Sequence, residues 1–171
     1  MKMRKCIGFV AYTILGGILP HYELGREWKM PKYVRGLCGK LMFDHCGKNV
    51  DIGRKAKLSS HISLGDNSGI GDSCYFQGEV VIKNDVMIAP QVSFIATSHN
   101  FSDLNVPMNQ QGMISKKITI EDNVWIEYRA IILAGVTVGT GSIIGAGSVV
   151  TKDVPSNTIV GGIPARVVKQ R

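Results

Sequence analysis

Of the four histidines in this chain, one stands where a regular pattern stops. His99 closes the hexad FIATSH, and the stretch after it, 100–113, keeps no period. An unperturbed imidazole titrates at about 6.5, so a neutral histidine there can take a proton from a hydroxyl group at cellular pH. A histidine beside a loop is also a common structural residue, and spacing alone favours that reading. His61 lies inside a six-residue unit and should face solvent, His45 precedes the periodic region, and His21 lies in the connector before it. Cys6, Cys38, Cys46 and Cys74 form no C-x-x-C pair and no Cys/His spacing suited to a metal, so reduced thiols and no metal are expected.

The element that must position His99 is a repeat of six. Ile52, Leu58, Leu64, Ile70, Phe76, Ile82, Ile88 and Phe94 are evenly spaced, and the period resumes with Ile114, Ile120, Ile126, Ile132, Val138, Ile144 and Val150. Two residues before each large apolar position sits a smaller or β-branched one, such as Val50, Ser68, Cys74, Val92, Val136 and Ser148. Helices repeat at 3.6 and simple strands at 2, so a period of six suits short strand steps divided by corners. A chain built this way coils into a tube with flat faces, its turns stacked about 4.8 Å apart and sharing backbone hydrogen bonds. Aliphatic ladders then fill the interior, which suits a chain with only 7% aromatic residues and 20 glycines. Cys74 falls in the inner row and should be a buried, inert thiol. Spacing leaves the number of faces and the hand open.

The 171 residues suit one domain. The formal charge of +7 admits nucleic acid, an anionic membrane surface or an anionic small molecule as partner. No RNA-binding or helix-turn-helix signature occurs and no aromatics interleave with the basic residues, so nucleic acid is not expected. Residues 1–46 read as a helical and connecting segment, 47–155 as the coil with its loop 100–113, and 156–171 as a cap and tail. Pro31 suits the first turn of a helix, PKYVRGLCGKLMF, with Tyr33, Val34, Leu37 and Leu41 at helical spacing, a cap over one end of the coil. The apolar stretch 6–20 follows Lys2, Arg4 and Lys5, but no small-residue cleavage site comes after it. It is short of the roughly 18–20 residues that span a bilayer. It either packs against the protein or a partner subunit, or lies in a membrane interface.

Two segments carry a resemblance. VWIEYRAIILAGVTVGTGSIIGAGSVVTKDVPSNTIVGGIPARVV (124–168) and VMIAPQVSFIATSHNF (86–101) resemble the hexapeptide-repeat acyltransferases, among them galactoside, maltose and polysaccharide O-acetyltransferases. The resemblance covers 50–171 and implies an all-β fold: a left-handed parallel β-helix with three hexads per triangular coil, here five coils, preceded by the N-terminal helical segment. It implies a homotrimer with acetyl-CoA as donor and its active sites between neighbours. It implies that His99 is the general base, deprotonating an acceptor that attacks the thioester directly. It places Trp125 beside the donor and acceptor, Ala146 along the pantetheine channel, and Thr151, Lys152, Arg166 and Lys169 around the nucleotide end of CoA. Asn67, Ser68 and Gln77 fall near the region that contacts the sugar, although their registers match only with gaps.

Two departures stand out: Glu127 replaces the usual glycine after V-W-I, and Tyr128 follows where galactoside enzymes carry a smaller residue. The same fold also hosts zinc carbonic anhydrases, which need three histidine ligands; no second histidine lies near His99, and Leu104 stands five residues on. A non-catalytic scaffold is the other rival, against which the retained His99 and basic residues argue. The expected activity is transfer of an acetyl group to a hydroxyl of a sugar or polysaccharide precursor, with an antibiotic-type acceptor or a sugar amine as alternatives. The expected location is the cytoplasm, at the inner membrane face if 6–20 lies in the interface.

Overall fold

The computed structural model describes residues 3–20 and 29–171, so His21 lies outside the described residues. In it the residues spaced by six turn inward, and the chain winds into a parallel β-helix of about six turns. The tube has three faces. The first sheet stacks His45–Cys46, Ile62–Leu64, Val80–Ile82, Ile118–Ile120 and Thr137–Val138. The second stacks Asp51–Ile52, Gly69–Ile70, Met87–Ile88, Trp125–Ile126, Ile143–Ile144 and Thr158–Gly162, with Ala165–Gln170 on its edge. The third stacks Tyr75–Gln77, Ser93–Ile95, Ile131–Leu133 and Val149–Val150. Asp51 pairs with Gly69 and Gly69 with Met87, so one coil takes three hexads.

The interior is made of the two rows read from the sequence. Ile52, Leu64, Ile70, Phe76, Ile82, Phe94, Ile120, Ile126, Ile132 and Ile144 are buried, and Val50, Cys74, Val80, Val86, Val92, Val124 and Ala130 are buried beside them. Phe76 and Phe94 stack with ring centroids 4.5 Å apart, one coil above the other. Burial pushes the Cys74 thiol up to about 12, which keeps it an un-ionised, unreactive filler. One corner of the triangle repeats a left-handed residue: Asn49 (φ 53°), Asn67 (φ 55°), Asp85 (φ 58°) and Asn123 (φ 57°). Short polar side chains tolerate that conformation, and here they link the coils, Asn49 donating to Asn67 Oδ1 at 3.0 Å and Asn67 to Asp85 Oδ1 at 3.1 Å. At Gly71 the coils touch, since an added Cβ would stand 2.4 Å from the carbonyl carbon of Ala89.

The structure corrects three expectations. The coil begins at His45–Cys46, earlier than the first large apolar hexad. It makes about six turns rather than five, because the last one is short: Ile143 pairs with Ile159, two positions fewer than three hexads on, and the period of six is lost after Val150 while the winding continues. Third, Ile114 does not resume the coil. It lies in Met113–Ser115, which pairs antiparallel with Thr97–His99, and it is 39% exposed. Met87 pairs with Trp125 instead of a residue three hexads on, so the excursion takes in Met113–Ser115 as well as the loop, and the ladder restarts at Ile118 and Ile120. The tail is a strand, Ala165–Gln170, folded back on Thr158–Gly162.

Helix α1 (Met3–Ala11) runs into a π turn (Tyr12–Gly16), and helix α2 (Met30–Met42) lies over the first coil, with Pro31 in its first turn. α2 buries Arg35, Cys38, Gly39 and Met42, and Gly39 approaches Ile52 and Cys46. α1 crosses α2 at Gly8, where an added Cβ would stand 2.7 Å from Leu41 Cβ. The Tyr12 hydroxyl donates to Gly53 O at 2.6 Å and accepts from Ala56 N at 3.1 Å, and burial pushes its pKa up to about 12. Lys5 Nζ bonds Asp44 Oδ1 at 2.7 Å and Ser60 O at 2.6 Å, holding the Asp44 carboxyl below its ordinary range. The segment 6–20 therefore packs on the protein along one side and leaves the other exposed.

Candidate active site

His99 is the last residue of Thr97–His99, opposite Met113 in the hairpin that leaves the coil after the third sheet. The root of this hairpin is tied to the tube, Ala96 N donating to Gln77 O at 2.9 Å and Lys116 N to Ala96 O at 2.9 Å. His99 is exposed, and no side chain among the described residues hydrogen-bonds its ring. Beyond it the loop is held by Gln111, whose Nε2 donates to Asp103 O at 2.7 Å and Val106 O at 2.6 Å while its Oε1 accepts from Asp103 N at 3.1 Å. Asn100 adds N–H···O=C to Gly112 at 3.1 Å. The loop thus presents a fixed shape next to the imidazole. Gln111 has no sequence signature; one of two adjacent glutamines inside an aperiodic stretch carries no signal.

The end of the second sheet and the corner before the third carry two of the residues matched to the donor, Trp125 and Ala146. Trp125 is 42% exposed and points outward from the second sheet, paired with Met87 below and Ile143 above. Glu127, Tyr128 and Arg129 turn the chain toward Ile131–Leu133, and the Arg129 guanidinium lies 5.0 Å from the Tyr128 ring centroid. Ala146 sits on the same corner one coil up, and Gly147 N donates to Tyr128 O at 2.8 Å. The Glu127 carboxylate accepts the Ala146 amide at 3.1 Å. A glycine at 127 would leave that N–H pointing outward, so the departure noted in the sequence changes which hydrogen-bond donors this corner offers.

The corner after the third sheet carries the basic groups. Thr151 and Lys152 follow Val149–Val150 and are exposed. Lys152 and Arg166 line one pocket of about 250 Å³ with Asp153, Val154, Pro155 and Val167. Two cations thus meet here from separate elements, one on the short last coil and one on the returning strand. Lys169 lies further along that strand, opposite Ile159, and does not line the pocket. Ala96, where the His99 hairpin leaves, occupies the same corner two coils below.

The three residues matched to the acceptor separate. Gln77 lies in the third sheet, paired with Ile95 directly beneath the root of the His99 hairpin. Asn67 and Ser68 sit on the corner between the first and second sheets, across the tube from that face. Ser68 is a correction: it is buried, donating to Lys83 O at 2.7 Å and accepting from Val86 N at 3.1 Å, so its hydroxyl is spent on the coil. Ser142 makes the same pair of bonds to Pro155 O and Thr158 N higher up, which marks both as interior ties. Asn67 serves its corner ladder and borders a groove of about 470 Å³ over the second sheet. Gln77, Ala146, Thr151, Lys152 and the root of the His99 hairpin therefore lie on the third sheet or its two corners, whereas Trp125 and Arg166 belong to the neighbouring second sheet. No cluster of three or more His, Cys, Asp or Glu able to hold a metal occurs among the described residues.

Residues 117–152 match the family model of bacterial transferase hexapeptides, six repeats. The galactoside O-acetyltransferase of Escherichia coli K12 is 37% identical over 125 residues, 72% of this chain and 55% of that protein, so the chain spans about half of its length. Among solved structures, galactoside acetyltransferase in complex with coenzyme A superposes with a TM-score of 0.75 at 30% identity, covering 98% of this chain and 80% of that one. A protein of Escherichia coli K12 named as a lipopolysaccharide biosynthesis O-acetyl transferase, WbbJ, is 30% identical over 164 residues, covering 87% of this chain and 81% of that protein. Agreement over nearly the whole length, helical cap included, accompanies the shared hexad period, and the chain belongs to the hexapeptide-repeat acetyltransferases.

Proposed function

We propose that this protein transfers an acetyl group from acetyl-CoA to a hydroxyl of a sugar unit in a polysaccharide or lipopolysaccharide precursor, with His99 as general base. The observation that carries this reading is one exposed imidazole on a hydrogen-bonded hairpin, on the same corner of the tube as the Lys152/Arg166 pocket. A general base needs geometry first, and the hairpin supplies it. The donor side rests on relatives whose structures hold coenzyme A or acetyl-CoA. Basic groups converging at one end suit the phosphates of CoA, and the outward third sheet between the two corners suits its extended arm. In the reaction the imidazole takes the acceptor's proton as the hydroxyl oxygen bonds to the thioester carbonyl carbon. The tetrahedral adduct then collapses, its C–S bond breaks, and the CoA thiolate leaves with a proton returned from the imidazolium.

A single face gives such a ligand one wall. We infer that a second copy closes the groove, in a homotrimer whose neighbours also give His99 the orienting contacts that the described residues of its own chain do not. Four unpaired thiols suit a reducing compartment, and on that ground we assign the reaction to the cytoplasm. The test is acetyl-CoA turnover against a panel of sugar and amine acceptors, followed by free-thiol release. His99→Ala is expected to lower kcat by about 10²–10⁴-fold while CoA binding persists. A kcat near that of the wild type in this variant would remove the base from the mechanism, and amine acceptors outrunning all hydroxyls would reassign the acceptor.

A further inference from the structure

α1 wears its apolar residues on the outside. It packs inward with Lys5, Gly8, Tyr12 and Gly16, mostly small or polar-tipped, while Met3, Ile7, Val10, Ile14, Leu15 and Ile18 stand 53% to 80% exposed. Positions 3, 7, 10, 14 and 18 keep helical spacing, so they form one stripe of about 24 Å at 1.5 Å per residue. α2 does the same on a smaller scale, with Met30, Tyr33, Leu37 and Leu41 38% to 67% exposed. The two helices touch where Leu41 lies against Gly8, on the inner side of α1. A water-exposed helix normally turns the other way, and a patch of this size marks a surface that is covered in use.

Charge identifies what covers it. Neither 3–20 nor 29–42 contains an acidic residue, and the stretch 1–46 holds eight Lys+Arg against three Asp+Glu, +5 of the chain's +7. Lys29, Lys32, Lys40 and Lys48 line a groove of about 430 Å³ whose apolar wall is Tyr33, Leu37 and Val50, with no acid in it. Two copies joined through this end would bring the same cations together. An apolar stripe rimmed by cations matches an anionic lipid surface, into which such a helix sinks by about 5–10 Å without crossing. No described helix is long and apolar enough to span a membrane.

We propose that the helical cap seats the protein on an anionic bilayer, with α1 in the interface and the lysine groove on the lipid phosphates. The inference is independent of the acceptor's identity. Flotation of the full chain with phosphatidylcholine vesicles, and with vesicles of phosphatidylcholine and phosphatidylglycerol, tests it. The protein is expected to rise with the anionic vesicles, to stay below with the neutral ones, and to be released by salt. Ile7→Glu/Ile14→Glu and, separately, Lys32→Glu/Lys40→Glu are each expected to lower the bound fraction about tenfold or more, with an unchanged unfolding midpoint. A wild-type chain that never floats, or variants that both float like it, would overturn the proposal. So would a fall in molar mass by light scattering in Ile7→Glu/Ile14→Glu, which would assign the stripe to contacts between copies.

Discussion

Lys152 and Arg166 reach one pocket from different elements, while Lys169, on the same strand as Arg166, faces elsewhere. If the pocket receives the phosphates of the donor, the three cations should separate in kinetics. Lys152→Ala and Arg166→Ala are expected to raise the KM for acetyl-CoA about 5–30-fold each, as for a partly exposed charge-assisted contact, with the acceptor KM little changed. Lys169→Ala should stay within about twofold of the wild type. Donor KM values unchanged in both of the first two would mean a solvated basic surface instead. All three were legible as candidates in the C-terminal stretch, but not their sorting, which depends on the strand reversal and on the bulge between Ile159 and Val160.

Along the elements, the hexad period carries most of the information and also its one false member. Ile114 and Ile132 are the same residue type at positions that fit one period, three hexads apart. Ile132 is fully buried between Phe94 and Val150, whereas Ile114 lies in the hairpin and is 39% exposed. Denaturant unfolding should tell them apart. Ile132→Ala is expected to cost about 2–5 kcal/mol through lost burial and a cavity, and Ile114→Ala less than about 1 kcal/mol. Equal losses would put Ile114 back in the core ladder. A period of six cannot distinguish a coil position from a neighbouring strand that shares its spacing by chance.

At the scale of the molecule the site is half built. The candidate residues on the third sheet and its corners offer a ligand one wall only, and the imidazole of His99 has no hydrogen-bond partner among the described residues. A trimer is therefore expected by light scattering at working concentration, and dilution that yields monomers should remove activity in parallel. An active monomer would mean that one face suffices. The apolar stripe on α1 is a second unfinished surface, since it fits neither the tube interior nor the third-sheet face.

The tube, its inner rows and its break at His99 could be read directly from residue order. Burial of one large and one small apolar residue per hexad is a local rule, repeated until it dominates composition, and each coil's hydrogen bonds fall on the next at a constant step of three hexads. Departures from the rule depended on contacts distant in sequence. The excursion outruns the aperiodic stretch 100–113 because Met113–Ser115 prefers the free edge of Thr97–His99 to a place in the coil. The last turn continues in a shortened coil because Val154 and Thr158 find partners in Val138 and Ser142 despite the lost period. Ser68 and Gln77, close in sequence, end on different sides of the tube, one sealed in a corner and one beneath the His99 hairpin, because a triangle's corners and faces are set by winding, and winding is a property of the stacked coils together.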